Sequence, residues 1–291
     1  MAVTLAYPYS DQAPRLRSGL VWLAAAVVTV HIGGLTFPFD GSGWAPFAAI
    51  AAVAAAALGI GMTQLVLLTI AEPGKLGVTI GAGIAALVGV LAAPLAGLIS
   101  LVLSIVHVGM PVAAAAFGIA LLARQSRAGA ARPWFSVVCG LALGLTVLAI
   151  GVLDSLVLLP AQLAPGVSLD QLYAQLAAAG EDGGVWVPIA WASVWVLALG
   201  VLAAGLTRHR TNARTALGLM LTASVAALIA LPAVQFALGM GIADTFATGG
   251  GMSALYPAIN VVAAGLAVSA AALLIGGATE RRQAAHADPA D

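Results

Sequence analysis

Apolar residues occur along this chain in long runs, and short polar breaks separate one run from the next. An α-helix needs about 20 apolar residues to cross a bilayer. Runs of that length predict an all-α polytopic membrane bundle of eight transmembrane helices. Their predicted limits are Gly19–Phe37, Ala45–Ala71, Leu76–Leu95, Leu98–Ala123, Trp134–Leu153, Val185–Leu206, Thr215–Phe236 and Leu255–Gly277. The third and fourth spans belong to one apolar run, which we divide at Pro94.

Composition agrees with this pattern. Hydrophobic residues make up 62% of the chain and charged residues 8%, whereas an ordinary soluble domain has about 25% charged residues. The principal partner is therefore the lipid bilayer, and no nucleic acid partner is expected. The single cysteine, Cys139, allows neither an intrachain disulfide nor a metal site made of thiolates. The first apolar run is nearly as long as a full span and lacks a clear cleavage site, so we interpret it as a retained helix.

Basic residues predict the orientation of the spans, because lysine and arginine near span ends are retained on the cytoplasmic side. With eight spans and a cytoplasmic N-terminus, all 11 Lys and Arg residues lie on one side. An odd number of spans before Arg124 would scatter them, which supports the division at Pro94. We therefore expect a multi-pass protein of the plasma (inner) membrane with both termini in the cytoplasm.

The two halves of the chain resemble each other in pattern. Trp44-Ala45-Pro46 opens the second span and Trp186-Val187-Pro188 opens the sixth, which indicates a parallel repeat of four plus four spans. The predicted organisation is a cytoplasmic arm (1–18), a first membrane half (19–123), a cytoplasmic linker (124–133), a second membrane half (134–279) with an external loop (154–184), and a cytoplasmic tail (280–291).

The external loop contains the signal for one further helix. Ser168 stands three residues before Gln171, as in a capping box, and Gly180 supplies a stop signal. We predict a short amphipathic helix on the outer surface. It is either a lid, a contact for a partner, or an interfacial helix without a further role.

Two histidines within the predicted spans are candidate functional residues. His31 is 14 residues after Arg17, and His107 is 17 residues before Arg124, so the two lie at similar heights. Ser100 and Ser104 share a helix face with His107. Such a pair can form a hydrogen bond between helices, bind a metal, ligate haem, or act as a polar gate.

The other polar candidates lie deeper or nearer the outer edge. Gln64 is expected to bond to a neighbouring helix. Asp154, Gln235 and Asn260 are each 21 or 22 residues from a basic residue at the cytoplasmic side, so they share one height. With Tyr256 and Asp244 they form a shallow mouth, or they are interface residues that face headgroups and water.

Three function classes follow from these features. No phosphate loop, zincin helix, nucleophile elbow or Cys/His ligand set occurs in the sequence. The first class is a non-catalytic accessory component that binds other membrane subunits, because the spans lack embedded charges. The second is a permease for a small neutral or apolar solute. The third is a redox protein that uses His31 and His107. Only this third class requires a cofactor, which would be haem. We expect no other metal site.

The arrangement of four plus four spans resembles haem A synthase in topology. That family has histidine pairs on its even-numbered spans, and in this chain His107 is the one histidine at such a place. The resemblance therefore implies no function here.

Overall fold

Helices form nearly all of the chain that the structure describes. The computed structural model describes residues 13–35, 44–71, 74, 76–100, 133–208, 211–249 and 252–287, with side chains except at 13–14, 34–35, 89–100 and 276–287. These residues contain no strand. The α-helices are α1 (Ala13–Leu35), α2 (Trp44–Ala71), α3 (Leu76–Ser100), α4 (Trp134–Leu153), α5 (Leu159–Leu163), α6 (Leu169–Ala179), α7 (Trp186–Arg208), α8 (Ala213–Phe246) and α9 (Tyr256–Ala287). A π-helical turn, Asp154–Leu158, joins α4 to α5, and a 3-10 helix, Asp182–Val185, precedes α7.

Six helical segments in the described part of the chain are long and apolar enough to cross a membrane, which indicates a membrane-embedded protein. They are Arg15–Gly33, Trp44–Ala71, Trp134–Leu163, Asp182–Arg208, Ala213–Phe246 and Tyr256–Ile275. They correspond to six of the eight predicted spans. The predicted fourth span lies outside the described residues except for its first three, and α3 contributes a shorter apolar segment, Leu76–Val88. Eight spans and the internal repeat therefore stay predictions.

Several predicted helix limits are wrong. The predicted break at Pro94 is absent, because α3 continues to Ser100. The span predicted to end at Leu153 continues through the π-helical turn and α5 to Leu163. In lipid, every backbone polar group needs a hydrogen bond within the protein, so helices persist past single prolines and polar residues. For the same reason α8 continues ten residues beyond its predicted end, Phe236.

Helix α8 is the centre of the second half of the bundle. Asn212 caps its first turn, because the Asn212 side chain accepts a hydrogen bond from the Thr215 amide, and most of the helix is buried. Helices α4, α7 and α9 all pack against it. The lipid-facing surface is formed instead by outer helices, as shown by the exposed side chains of Phe135 on α4 and Leu197 on α7.

Small residues allow α4 and α8 to pack closely. A β-carbon added at Gly140 would lie 2.5 Å from Met220 Cβ, and one at Gly144 would lie 3.2 Å from Ser224 Oγ. Because successive α4 residues meet successive α8 residues in the same order, the two helices run parallel. Gly140 and Gly144 thus form a small-xxx-small contact of the kind that allows close packing of membrane helices. Gly77 and Gly81 of α3 have the same spacing, but β-carbons added there would meet no atom of the described residues within 4 Å.

Glycines also allow close helix packing in the first half of the bundle. Gly61 of α2 packs against Leu23, and Gly19 of α1 packs against Leu65, so α1 and α2 are closely packed and antiparallel. Helix α1 also contacts α3 and α9, and α2 contacts α9. Helix α9 thus joins the first three helices to the second half.

Candidate functional site

Asp154 is fully buried at the point where α4 changes into the π-helical turn. Its Oδ2 accepts a hydrogen bond from Gln235 Nε2 at a distance of 2.7 Å. Its neighbour Ser155 donates to the carbonyl of Gly151, one turn earlier, and therefore does not serve the carboxylate. An ionisable side chain within a transmembrane bundle is costly to bury and commonly marks a functional position.

Gln235 holds the matching position on α8, with 1% of its surface exposed. It follows Pro232 by three residues, and this proline lacks the N–H that would bond to the carbonyl of Leu228. The pair Asp154–Gln235 continues the parallel contact between α4 and α8, because the preceding contact joins Gly151 to Leu231. Both partners therefore lie at irregular points of two closely packed helices.

The hydrogen bond between the two residues leaves one oxygen on each without a partner. Asp154 Oδ1 and Gln235 Oε1 are both buried and accept no hydrogen bond from the residues that the structure describes. Both atoms are acceptors when the carboxyl group is ionised. The pair therefore presents two unsatisfied acceptors in a region that lipid and protein shield from water.

Further buried polar groups come from α7 and α9. Trp191 Nε1 has no hydrogen-bond partner among the described residues, and the side chains of Tyr256 and Asn260, four residues apart on α9, interact with each other. The ring of Trp191 contacts Gly151, because a β-carbon added there would lie 2.7 Å from Trp191 Cη2. Trp191 is thus about one helical turn from Asp154.

The level of α9 follows from its antiparallel packing on α8. Gly218 of α8 contacts Leu274 of α9. Because the two helices are antiparallel, Gln235, which is 17 residues after Gly218, lies level with the residue 17 positions before Leu274, at the beginning of α9. Tyr256 in the first turn is therefore at the height of Gln235, and Asn260 is one turn below it. We call Asp154, Trp191, Gln235, Tyr256 and Asn260 the polar layer.

The described arginines of the two flanking helices are far from the polar layer. Arg214 precedes Gln235 by 21 residues on the same helix, which corresponds to about 32 Å. Arg208 ends α7, whereas the polar layer lies near the start of that helix. Neither arginine can neutralise Asp154. The donor identified for this carboxylate in the described part of the chain is Gln235 Nε2.

Helix α6 covers the end of the bundle nearest to the polar layer. The predicted amphipathic helix is confirmed, because Ser168 and Gln171 form the capping box and Gly180 ends the helix with a φ of 77°. Leu172 and Leu176 of α6 pack with Leu159 of α5 and with Leu238 and Ile242 of α8. This cluster seats α6 on α5 and α8.

Two polar contacts fasten the same end of the bundle. The hydroxyl of Tyr173 on α6 donates to the carbonyl of Leu156 at 2.5 Å, and burial raises the pKa of this tyrosine. Gln162 Oε1 accepts a hydrogen bond of 2.7 Å from the amide of Ala254, just before α9. We call α5, α6 and the segment 252–255 the cover of the polar layer.

The structure brings some of the predicted site residues together and places another outside the polar layer. Asp154 and Gln235 are brought together, and Asn260 is 3% exposed on the adjoining α9, so these three residues are buried and do not face headgroups or water. Asp244 is exposed and lies outside the layer. Sequence reasoning missed Trp191, because the apolar pattern of α7 does not distinguish a tryptophan that faces the protein from one that faces lipid.

The remaining candidates are less informative. His31 is half-buried in α1, whereas His107 and Ser104 lie outside the described residues, and Ser100 is described by its backbone alone. The predicted histidine pair is therefore untested. Gln64 is half-buried in α2. Among the described side chains, no three His, Cys, Asp or Glu residues come together as metal ligands would.

Comparisons of the chain with protein family models, with curated proteins and with solved structures gave no match. The site therefore has to be interpreted from its own geometry.

Proposed function

We propose that this protein is a permease that binds a small polar solute at the polar layer. The observation that supports this proposal is the buried pair Asp154–Gln235, in which each partner keeps an unsatisfied oxygen. A pair that served the packing alone would satisfy its buried polar atoms, because an unpaired buried group costs about 1–3 kcal/mol. Such atoms are retained where a ligand or water completes them.

The burial of Asp154 favours a permease over an accessory component. The argument for an accessory component was that the spans lack an embedded charge. Asp154 has no exposed surface and lies within a segment long enough to cross a membrane. Because embedded carboxylates are characteristic of transport pathways, that argument no longer applies.

The irregular helices around the pair also favour a permease. The π-helical turn begins at Asp154, and Pro232 interrupts the hydrogen bonding of α8 one turn before Gln235. Interrupted helices supply both ligand-binding groups and hinges in many transporters. The polar solute proposed here differs from the neutral or apolar solute inferred from the sequence, because the buried acceptors favour a molecule with hydrogen-bond donors.

Solute entry into proteoliposomes tests this proposal. Vesicles containing the purified protein would be mixed with hyperosmotic urea, acetamide, glycerol or glycine, and the re-swelling rate measured by stopped-flow light scattering. We expect faster re-swelling with at least one of these solutes than in protein-free vesicles. Asp154→Ala should abolish the difference, and Asp244→Ala, at an exposed carboxylate on α8, should retain it. Equal rates in vesicles with and without protein for all four solutes would contradict the proposal.

A further inference from the structure

We infer that the pair Asp154–Gln235 binds a monovalent cation. This inference rests on the proposed function and adds a second ligand, a cation, beside the polar solute at the same site. It starts from the two oxygens without partners, Asp154 Oδ1 and Gln235 Oε1. They belong to the same two side chains that the hydrogen bond of 2.7 Å joins, so covalent geometry keeps both oxygens close to that bond.

The carboxyl group of Asp154, when ionised, favours a cation as this second ligand. A buried carboxylate requires a counter-charge or several donors, since the loss of hydration costs several kcal/mol. Gln235 supplies one donor, and Arg208 and Arg214 lie at the far ends of α7 and α8. Water bound between the two oxygens would donate hydrogen bonds, but no charged side chain among the described residues would then compensate an ionised carboxylate. A cation both neutralises the carboxylate and is coordinated by the amide oxygen.

The charge of the ligand follows from the composition of the layer. One carboxylate faces one neutral amide, and the other buried members of the layer, Trp191, Tyr256 and Asn260, carry neutral side chains. A single positive charge therefore balances the site. Divalent ions prefer several carboxylate ligands, and the described residues provide no such group. An alkali metal ion and a protonated amine share the required chemistry.

Thermal unfolding of the full-length protein in detergent distinguishes these ligands. Sodium, potassium, ammonium and methylammonium chloride would be added at constant pH and constant ionic strength, with N-methyl-D-glucamine chloride as the balancing salt. Because a ligand that binds the folded state stabilises it, we expect a saturable rise in Tm with at least one of the four cations. A response to sodium or potassium alone indicates a metal ion, and one to ammonium or methylammonium alone indicates an amine.

Two variants and a control locate the effect. Asp154→Asn keeps the size of the side chain but removes its charge, so the cation-dependent rise in Tm should disappear. Gln235→Ala removes one ligand and should increase the half-saturating concentration roughly tenfold, which provides a second test if Asp154→Asn does not fold. Asp244→Asn removes an exposed carboxylate from the same helix and should respond like the wild type.

The inference fails if none of the four cations raises Tm above the balancing salt, or if Asp154→Asn retains the effect. Its outcome is separate from that of the proposed function. Saturable cation binding without solute entry into vesicles would uphold the inference and contradict the permease. Solute entry without any effect of cations on Tm would support the permease and contradict the cation inference.

Discussion

The phenolic oxygen of Tyr173 on α6 lies 2.5 Å from the carbonyl oxygen of Leu156, inside the π-helical turn that begins at Asp154. The cover of the polar layer is thus attached directly to the irregular segment that positions the buried carboxylate. This hydrogen bond therefore connects α6 to the backbone two residues from Asp154.

Removal of the Tyr173 hydroxyl should loosen the cover. We expect Tyr173→Phe to destabilise the protein by about 1 kcal/mol, because the Leu156 carbonyl loses its donor while the ring still packs in the same apolar cluster. Hydrogen exchange measured by mass spectrometry should become faster in residues 168–180. Asp170→Asn, at an exposed position on the same helix, serves as the control. Unchanged exchange in α6 of Tyr173→Phe would show that the hydrogen bond does not hold the helix.

The same tyrosine predicts a change of stability with pH. Burial raises the pKa of Tyr173 above the ordinary value of about 10, so the folded state favours the neutral phenol. Below pH 10 the group is neutral in both states and has no effect on the pH dependence. As the pH rises from about 10 through the raised pKa, the unfolded state ionises first and stability decreases. Denaturation measured between pH 9 and pH 11 should show a steeper loss in the wild type than in Tyr173→Phe, and equal slopes would contradict this assignment.

The close packing of α4 on α8 predicts different costs for two glycine substitutions. Gly140→Ala adds a β-carbon 2.5 Å from Met220 Cβ, and we expect a cost of about 1–3 kcal/mol from overpacking. Gly200→Ala on α7 meets no atom within 4 Å and should be neutral or slightly stabilising. Thermal unfolding in detergent compares the two. Similar Tm values for both variants would indicate that α4 and α8 are farther apart than described.

Without added cations, the stability of Asp154 variants tests whether the charge of this residue is compensated. Asp154→Asn replaces one acceptor with a donor, retains an oxygen for Gln235 Nε2, and removes the buried charge. We expect a gain of about 1–3 kcal/mol in stability, as seen where buried charges lacking a partner are neutralised. Asp154→Ala leaves the Gln235 amide without its acceptor, and we expect a loss of about 1–3 kcal/mol. If both variants lower Tm equally, the charge of Asp154 is already compensated.

Chemical modification tests whether the polar layer opens to water. Ser155→Cys would be made in a Cys139→Ser background, because the native cysteine is exposed. In proteoliposomes we expect a small hydrophilic methanethiosulfonate to modify position 155 slowly, since a permease exposes its binding site during transport. Ser193→Cys, at an exposed position two residues after Trp191 on α7, should stay unmodified in lipid. Complete protection of position 155, with full modification after denaturation, would favour a static accessory subunit.

Sequence reasoning predicted local structure well wherever short-range chemistry determines it. The surface helix α6 was predicted from Ser168, Gln171 and Gly180, because capping depends on residues within a single turn. Counting residues also placed Asp154 and Gln235 at one height, and the hydrogen bond between them agrees with that count.

The rotation of each helix about its axis could not be predicted in the same way. Counting along the chain gives the height of a side chain but not the neighbour it faces. For Asp154 the decisive contacts are those of Gly140 and Gly144, which fix the face of α4 that meets α8. An apolar residue is equally suited to lipid and to protein, so hydrophobicity gives little indication of which side of a membrane helix is inside. Asp154, Gln235 and Asn260 were therefore not recognised as fully buried.

The separation of Asp154 and Gln235 along the chain has a consequence for biosynthesis. The two residues are 81 positions apart, so α4 leaves the ribosome well before α8 exists. During that interval the carboxylate lacks the amide that later donates to it. Stable burial of Asp154 therefore requires α8, and we expect α4 inserted without α8 to keep its Asp154 end in contact with water.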